Sequence, residues 1–499
     1  MRKTLAALSA TAVLAGGCGG AGADGEGDPA SAVPQDALFY AELVVRPEGS
    51  LREDAADAAG KILLTDDPEA EIRRLMGLAF ADTGEDFDFD RDVEPWLGER
   101  AGFWVRPSEA KDNFGALLLA TTDAEEAETS LKASLERDGK TVAERSHNGT
   151  DYLVNSEDVA AGIVGDFAVI GREAEYKRTI DAFEGDSLAE ADEYSDAIDA
   201  LEDDRLAHFW ADTPGLLEVA RGEAGAHADQ LSALVPLDDL PPVAGSFAAD
   251  GDRLAVEVKA RGSKLGPLIG SGSTPLLQEL PGDSWAAFGS ADAGKTLLDT
   301  VDGVAGALGG IVLRRELERE YGLDLDRDLL DWIGDVGVFV RGSTPATLDG
   351  GVVIQPSDEG RAADAFGKLV GAVQVEAKVR ADPVEIAGAD QAFELSDRHS
   401  TRSIVMARGS GLVVVTVGRA AAEAALGTDD RLGDTDLYSE AEELVGMEPG
   451  VLLSMPALLE LAGPQAGEAG PYLEAYSVVA AGTVVDGDEV VGRVAAGLE

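Results

Sequence analysis

The pattern of apolar and polar positions along this chain predicts an α+β protein. Short apolar segments typical of strands include residues 36–45, 101–105 and 115–121. Segments with apolar residues at helical spacing, such as 51–79 and 123–135, lie between them. Because some strands are joined by hairpins and others by helices, we expect largely antiparallel sheets.

One stretch of the sequence occurs twice. Residues 90–98 are DRDVEPWLG and residues 326–334 are DRDLLDWIG, so that the tryptophans at 96 and 332 are 236 residues apart. We expect an aspartate (Asp90 or Asp92 in the first copy) to cap a short helix in each turn, and the tryptophan to bury that helix. The glycine would end the helix in a left-handed conformation. The predicted structural anchors are Trp96, Gly98, Trp332 and Gly334.

Other matches keep the same order along the chain. A helix opening at Pro214 returns at Pro456, and an Asp-Gly-Asp turn at 250–252 returns at 486–488. A fixed long period indicates copies of one fold, so we predict two tandem repeats of about 236 residues. Glycine, serine and proline concentrate near the expected boundary. The predicted segments are a signal peptide at 1–17, a flexible tether at 18–33, a first α+β repeat at 34–265 and a second at 266–499.

The N-terminus resembles a bacterial lipoprotein signal. Arg2 and Lys3 precede an apolar run at 4–15 that is too short to span a bilayer, and small residues lead to Cys18. We expect cleavage before Cys18 and attachment of lipid to its sulfur, although Ala15 stands where such signals usually have leucine. The alternative is an ordinary secretory signal with an incidental cysteine. Two acyl chains would anchor the protein stably outside the cytoplasm.

Composition narrows the range of partners. The chain of 499 residues carries 95 acidic and 40 basic residues, a formal net charge of −55. A nucleic-acid partner is therefore excluded, because a phosphate binder needs a basic face. An anionic lipid surface is likewise disfavoured as an electrostatic partner, which leaves the lipid anchor as the expected contact with the membrane. With one cysteine, no disulfide can form within the chain.

A nucleotide-binding motif is present at residues 289–296, GSADAGKT. In a phosphate-binding loop, backbone amides surround the phosphates and the lysine contacts them. Here Asp292 would place a negative charge inside the loop, and the first repeat lacks the motif. We therefore predict no cofactor, and keep a nucleotide-dependent or hydrolytic enzyme as the alternative. The residues that a nucleotide would use are Gly289, Gly294, Lys295 and Thr296.

Aspartates occupy alternate positions before the first tryptophan. Oxygen ligands at such spacing suit calcium. However, Arg91 stands where a calcium-binding loop needs glycine, and Leu97 where it needs glutamate. We predict capped turns without metal, and a calcium-stabilised module is the alternative. The residues that a metal would use are Asp86, Asp88, Asp90, Asp324, Asp326 and Asp328.

No arrangement of residues predicts catalysis. The four histidines are scattered and lack the spacing of a zinc site. No nucleophile elbow is present, and Cys18 is committed to the anchor. We therefore expect a protein that binds an unidentified protein or small molecule, or that organises the envelope, and is not an enzyme. The histidines are His147, His208, His227 and His399.

Several of these features together resemble a known family. They are the lipoprotein signal, a Pro-x-Asp strand start at 34–36, the acidic lead into Trp96 and the Pro-x-Leu-Leu-Glu helix at 214–218. The chain is similar to an uncharacterised family of bacterial exported lipoproteins that is classed only as a domain of unknown function. The similarity covers most of residues 34–499 and implies no activity, so no functional residue can be transferred from it.

Overall fold

The computed structural model combines helices with antiparallel sheet. Seventeen strand pairings among the described residues are antiparallel. The described residues are 27–81, 89–106, 114–136, 140–224, 240–262, 273–304, 319, 324–396, 402–427 and 429–499. The chain divides into two compact units: Met1–Val219, Pro241–Arg261 and Leu498 form the first, and Ala220–Leu240, Gly262–Gly497 and Glu499 form the second.

The first unit is built on a sheet of ten strands among its described residues. The strands are β1 Phe39–Val44, β2 Leu97–Arg106, β3 Phe114–Thr121, β4 Val142–His147, β5 Thr150–Asn155, β6 Val159–Val164, β7 Phe167–Arg172, β8 Ala207–Ala211, β9 Val243–Ala249 and β10 Arg253–Arg261. Their order across the sheet is β4-β5-β6-β7-β3-β2-β1-β8-β9-β10.

Helices cover both faces of the first sheet. They are α1 Gly49–Leu63, α2 Pro68–Ala81, α3 Phe89–Asp92, α4 Ala124–Glu136, α5 Glu173–Glu184, α6 Asp192–Asp199 and α7 Thr213–Ala224, with 3₁₀ turns at Pro29–Ala32 and Leu188–Glu190. On one face, Leu131 of α4 packs with Trp96 and Ala168. On the other, Ile180 of α5 packs with Trp104. Each face of the sheet therefore has a core of its own.

The second unit has the same strand order. Its strands are β11 Ser284–Ser290, β12 Ile333–Arg341, β13 Asp349–Pro356, β14 Arg380–Pro383, β15 Gln391–Ser396, β16 Ile404–Gly409, β17 Leu412–Val417, β18 Val451–Ser454, β19 Tyr476–Asp486 and β20 Glu489–Leu498. They lie in the order β14-β15-β16-β17-β13-β12-β11-β18-β19-β20.

Two helices of the second unit begin at well-placed side chains that accept a free amide hydrogen. Asp358 accepts from the amide of Arg361 at 2.9 Å, and Thr435 from that of Tyr438 at 3.2 Å. The helices are α8 Ala293–Val304, α9 Glu359–Glu376, α10 Arg419–Leu426, α11 Asp436–Val445, α12 Met455–Ala462 and α13 Gly470–Leu473, with a π-helical turn at Leu325–Leu330 and 3₁₀ turns at Pro275–Leu277, Leu432–Asp434 and Gly463–Ala469. Across the described ranges, no helix is both long enough and apolar enough to cross a bilayer.

The predicted helix at 51–79 is two helices. Leu64 has a left-handed conformation, with φ of 55°, and ends α1, while Pro68 opens α2. Proline is well placed there because the first turn of a helix leaves its amides unbonded in any case. Helical periodicity alone could not locate this break, because the apolar spacing continues across it.

The last part of the segment expected to form a tether, residues 18–33, is folded. Residues 29–32 form a 3₁₀ turn capped by Asp28, whose Oδ1 accepts from the amide of Ala30 at 2.9 Å. Ala30, Ala32 and Val33 are fully buried in the first unit. Small apolar side chains allow this segment to lie against the sheet, so composition alone was misleading from residue 27 onward.

Each repeated tryptophan is buried at the start of a strand. The indole nitrogen of Trp96 donates to the carbonyl of Asp92 at 2.8 Å, and that of Trp332 to the carbonyl of Asp328 at 3.1 Å. The left-handed conformation expected at Gly98 is wrong, since Gly98 is extended within β2. It is glycine for another reason: a Cβ there would lie 2.9 Å from the carbonyl carbon of Ala120. A Cβ on Gly334 would lie 2.7 Å from the carbonyl oxygen of Gln355.

The capping predicted for Asp90 or Asp92 is also wrong, because both lie inside the short helix α3. In the second unit, Asp324 does cap its turn by accepting from the amide of Arg327 at 3.0 Å. The residue 236 positions before Asp324 is Asp88, which lies outside the described residues.

Candidate functional site

The GSADAGKT segment forms a tight turn from strand to helix. Only Ala291 and Asp292 separate β11 from α8. Asp292 is left-handed, with φ of 46°, and its amide donates to Oδ1 of Asp335 at 3.0 Å. An amide that a phosphate would need is therefore already bonded to a carboxylate.

The glycines of this segment are packed against protein. A Cβ on Gly294, in the first turn of α8, would lie 2.4 Å from the carbonyl oxygen of Ile333. Gly289 lies within β11, where a Cβ would meet Thr274 at 2.7 Å. Lys295 is exposed, and the hydroxyl of Thr296 donates to the carbonyl of Asp292 at 3.4 Å. The glycine spacing serves close packing and does not form a phosphate cradle.

The aspartates of the tryptophan turns that the structure describes do not form a cluster of carboxylates. Asp86 and Asp88 fall outside the described residues, and Asp90 is exposed on α3. In the second unit, Asp328 is buried and accepts from Nζ of Lys368 at 2.8 Å and from the amide of Asp324 at 3.0 Å. These two hydrogen bonds, led by the one from Lys368, lower the pKa of Asp328.

Asp326 belongs to the same π-helical turn as Asp328. Within the described part of the chain, no three acidic, histidine or cysteine side chains converge as a metal site would require. Cys18, His227 and His399 lie outside the described residues. His147 lies at the β4–β5 hairpin, with Nε2 at 2.7 Å from Oδ1 of Asp181.

A row of buried polar side chains crosses the first sheet, and sequence reasoning missed it. Glu42 of β1 is paired with His208 of β8, His208 with Ser246 of β9, and Ser246 with Glu257 of β10. Each of the four is at most 8% exposed. We call these four residues the polar row. In the sequence, the only signal for the polar row was a charged residue inside an apolar strand. The register of the four strands is needed to show that the four side chains are neighbours.

Hydrogen bonds satisfy Glu42 at one end of the polar row. Its Oε2 accepts from the hydroxyl of Tyr40 at 2.8 Å, and its Oε1 from Nη1 of Arg100 at 3.0 Å. Burial raises the pKa of Glu42, and the hydrogen bond from Tyr40 opposes that shift. At the other end, Nζ of Lys259 lies 3.0 Å from Oε1 of Glu257. Each buried carboxylate is thus matched by a cation, as burial of charge requires.

His208 contacts two tyrosine side chains. Its Nε2 is hydrogen-bonded to the hydroxyl of Tyr194 at 3.2 Å, and its ring lies 6.0 Å from that of Tyr40. Burial, helped by Arg205 and Arg100, lowers the pKa of His208 to about 3. The imidazole is therefore neutral at pH 7. Serine, histidine and glutamate are residue types of hydrolytic sites, but here the imidazole is bonded to tyrosine and closed off from solvent.

The second unit exposes an apolar surface on one face of its sheet. Two parallel rows of side chains cross five strands there, and every member is apolar. We call them the apolar face. The first row is Val352, Val338, Phe288, Val451 and Ala481, and the second is Gly350, Val340, Ala286, Leu453 and Val479.

The centre of the apolar face is open to solvent. Phe288 is 45% exposed and its neighbour Val451 is 39% exposed. On the opposite side of the same strands, Phe339, Val353 and Leu452 are buried in the core. Antiparallel sheets usually alternate apolar inward and polar outward positions. These strands therefore depart from that alternation and are apolar on both faces.

Comparison with known proteins identifies the family to which the sequence is similar. Residues 4–390 match the model of DUF3352, which is described as a protein of unknown function. No curated protein matches the chain. Crystal form I of TP0453 shares 10% identity and a TM-score of 0.27, covering 47% of this chain and 79% of that one. Crystal form IV of TP0453 shares 14% identity and a TM-score of 0.27, covering 48% and 83%.

The TM-scores are too low to carry an argument about fold or function. The family match is of another kind, because it extends over most of the chain and both units. It confirms the similarity to a domain of unknown function that the signal, the tryptophan turn and the proline-led helix predicted. This chain belongs to the DUF3352 family.

Proposed function

We propose that this chain is a lipid-anchored binding module of the cell envelope, without catalytic activity, built from two tandem copies of one fold. The observation that carries the proposal is the apolar face, with Phe288 and Val451 exposed at its centre. A contiguous apolar patch on a protein surface marks a site of interaction. A substrate site is typically a concave pocket with a few placed polar groups, whereas the apolar face is an exposed surface of a sheet.

The two units support the duplication in their details. Both sheets have the same strand order. The carbonyl of Trp96 accepts from the amide of Thr122 at 2.9 Å, and the carbonyl of Trp332 accepts from that of Ser357 at 2.9 Å. Isolated bridges join Pro34 to Ser187 in one unit and Pro281 to Arg431 in the other. Shared irregularities of this kind favour common descent over chance.

The polar row supports a structural role in the first copy. At the positions of the second sheet equivalent to Glu42, His208 and Ser246 stand Gly289, Gly450 and Gly482, joined by hydrogen bonds from Gly289 to Gly450 and from Gly450 to Ala481. The fold therefore forms without these three polar side chains. In the first unit they are charge-balanced and sealed, which suits a packed core better than a site that admits a substrate.

The short tether supports a position close to the membrane. With Cys18 lipidated and residue 27 already part of the fold, only residues 19–26 separate the anchor from the first unit. The first unit would then be held near the bilayer surface. Its acidic charge would keep it from lying on anionic lipid.

Two measurements test the proposal. First, wild type should fractionate with membranes and incorporate a palmitate label, and Cys18→Ser should lose both. Second, a photoreactive residue placed at position 288 in cells should form a discrete covalent adduct, while one at the exposed Val375 of α9 should not. Soluble wild type without label would exclude the anchor, and equal adducts at the two positions would exclude the binding surface.

A further inference from the structure

We propose that the apolar face binds an amphipathic helix of a partner protein, with its apolar side on the sheet and basic residues on its polar side. This inference rests on the proposed binding function and names the chemistry of the partner. It is argued from the dimensions of the apolar face and from the charges that surround it.

The dimensions of the apolar face fit one helix. Its rows are formed by alternate residues of each strand, so they lie about 7 Å apart. Five strands at a spacing of about 4.8 Å make the face about 19 Å wide. A helix that crosses it would need about 13 residues and would present an apolar stripe roughly as broad as the two rows. Phe288, at the centre, is the large aromatic that anchors such interfaces.

The charges around the apolar face select a basic partner. Exposed acids stand near the ends of three of its strands, β11, β18 and β19, and no lysine or arginine lies within three residues of those ends. These acids are Asp283, Asp292, Glu448, Glu474 and Asp486. At the end of β12, the guanidinium of Arg341 is already bonded to Asp349 at 2.6 Å and to Asp283 at 3.1 Å. An acidic rim around an apolar centre attracts a helix that carries lysine or arginine.

The same charges disfavour other occupants. A second copy of this chain would bring a further net charge of −55 against the rim. An anionic lipid surface would be repelled in the same way. An uncharged acyl chain would gain nothing from the acidic rim, so its binding would not depend on salt.

A designed helix provides the probe. The protein is the full chain with Cys18→Ser, which needs no detergent. The probe is a fluorescent peptide of about 18 residues with leucine on one face and lysine on the other. Binding is followed by fluorescence anisotropy, with a peptide of scrambled order and a peptide with glutamate in place of lysine as comparisons. We expect the lysine peptide to bind at least about tenfold more tightly than either comparison.

Variants locate the binding. Phe288→Asp and Val451→Asp should each weaken binding of the lysine peptide by about tenfold or more. Val375→Asp, which changes a residue of α9 that is 67% exposed, should leave binding within about twofold. Circular dichroism establishes that each variant is folded. If Phe288→Asp is not folded, the milder Phe288→Ser takes its place. Raising salt to about 0.5 M should weaken binding of the lysine peptide.

Three results would overturn the inference. They are equal binding of the lysine and glutamate peptides, equal binding of the scrambled peptide, or unchanged binding by both face variants. Dimerisation of the chain that Phe288→Asp abolishes would assign the face to a second copy, and tight binding of a fluorescent fatty acid would assign it to an acyl chain. An adduct at position 288 in cells without peptide binding would leave the proposed function intact and reject only the helical, basic partner.

Discussion

Nε2 of His208 lies 3.8 Å from Oε2 of Glu42, inside the first unit, and the imidazole is neutral at pH 7. The two side chains come from adjacent strands and share the inner face of the sheet. Burial lowers the pKa of one and raises the pKa of the other, so both disfavour their charged forms. The stability of this unit should therefore depend on pH in two opposite ways.

The first prediction concerns acid and His208. The folded pKa is about 3, against an unfolded value of 6.5, so between these values the unfolded chain binds the extra proton. Stability is then lost as the pH falls through that window, by at most about 1.4 kcal/mol per pH unit from this group. His208→Gln should show a shallower loss. Hydrogen exchange of β8 between pH 6.5 and 4 measures it, and parallel curves for the two proteins would contradict it.

The second prediction concerns Glu42, where the sign is reversed. Because its folded pKa is raised, the folded chain holds a proton that the unfolded chain releases, and stability is lost as the pH rises above 4.5. Glu42→Gln removes this loss. The free energy of unfolding of the variant minus that of wild type should be larger at pH 7 than at pH 4. Urea unfolding of both proteins at the two pH values measures this difference. A difference independent of pH would show that the carboxyl does not titrate in this window.

The third prediction separates a hydrogen bond from aromatic packing. Trp96→Phe loses the bond to the carbonyl of Asp92 and part of the ring volume, and should cost about 2 kcal/mol. Trp210 is also buried, but its indole nitrogen has no hydrogen-bond partner among the residues that the structure describes. Trp210→Phe should therefore cost less, since it removes an unsatisfied donor. Equal losses in urea unfolding would mean that the bond from Trp96 contributes nothing.

The sequence predicted much of this fold because its signals were local. Apolar periodicity placed most strands, and the Asn-Gly pair is a local signal for the β4–β5 hairpin, where Asn148 and Gly149 both have positive φ. Proline at position 214 predicted the helix that begins at Thr213. In each case the residues that carry the signal are also those that make the turn or cap.

The sequence failed where partners are distant along the chain. Gly98 is required by Ala120 on the next strand, and nothing near Gly98 shows that contact. Glu42, His208 and Glu257 become neighbours only through the register of four strands. The apolar face could not be predicted for the same reason. The apolar sequence of β11 does not show which face of the strand packs on the core.

The GSADAGKT segment leads to the last prediction, because its two possible roles give opposite results. In a nucleotide site Lys295 would matter most, and Lys295→Ala would abolish a stabilising effect of magnesium-ATP. In the turn described here Lys295 is exposed, whereas a Cβ on Gly294 would meet the carbonyl oxygen of Ile333 at 2.4 Å. We expect Gly294→Ala to cost about 2 kcal/mol or more, Lys295→Ala less than about 0.5 kcal/mol, and magnesium-ATP to leave the midpoint unchanged. Thermal unfolding of the three proteins with and without nucleotide measures this. A rise with magnesium-ATP in wild type that Lys295→Ala removes would establish a nucleotide site.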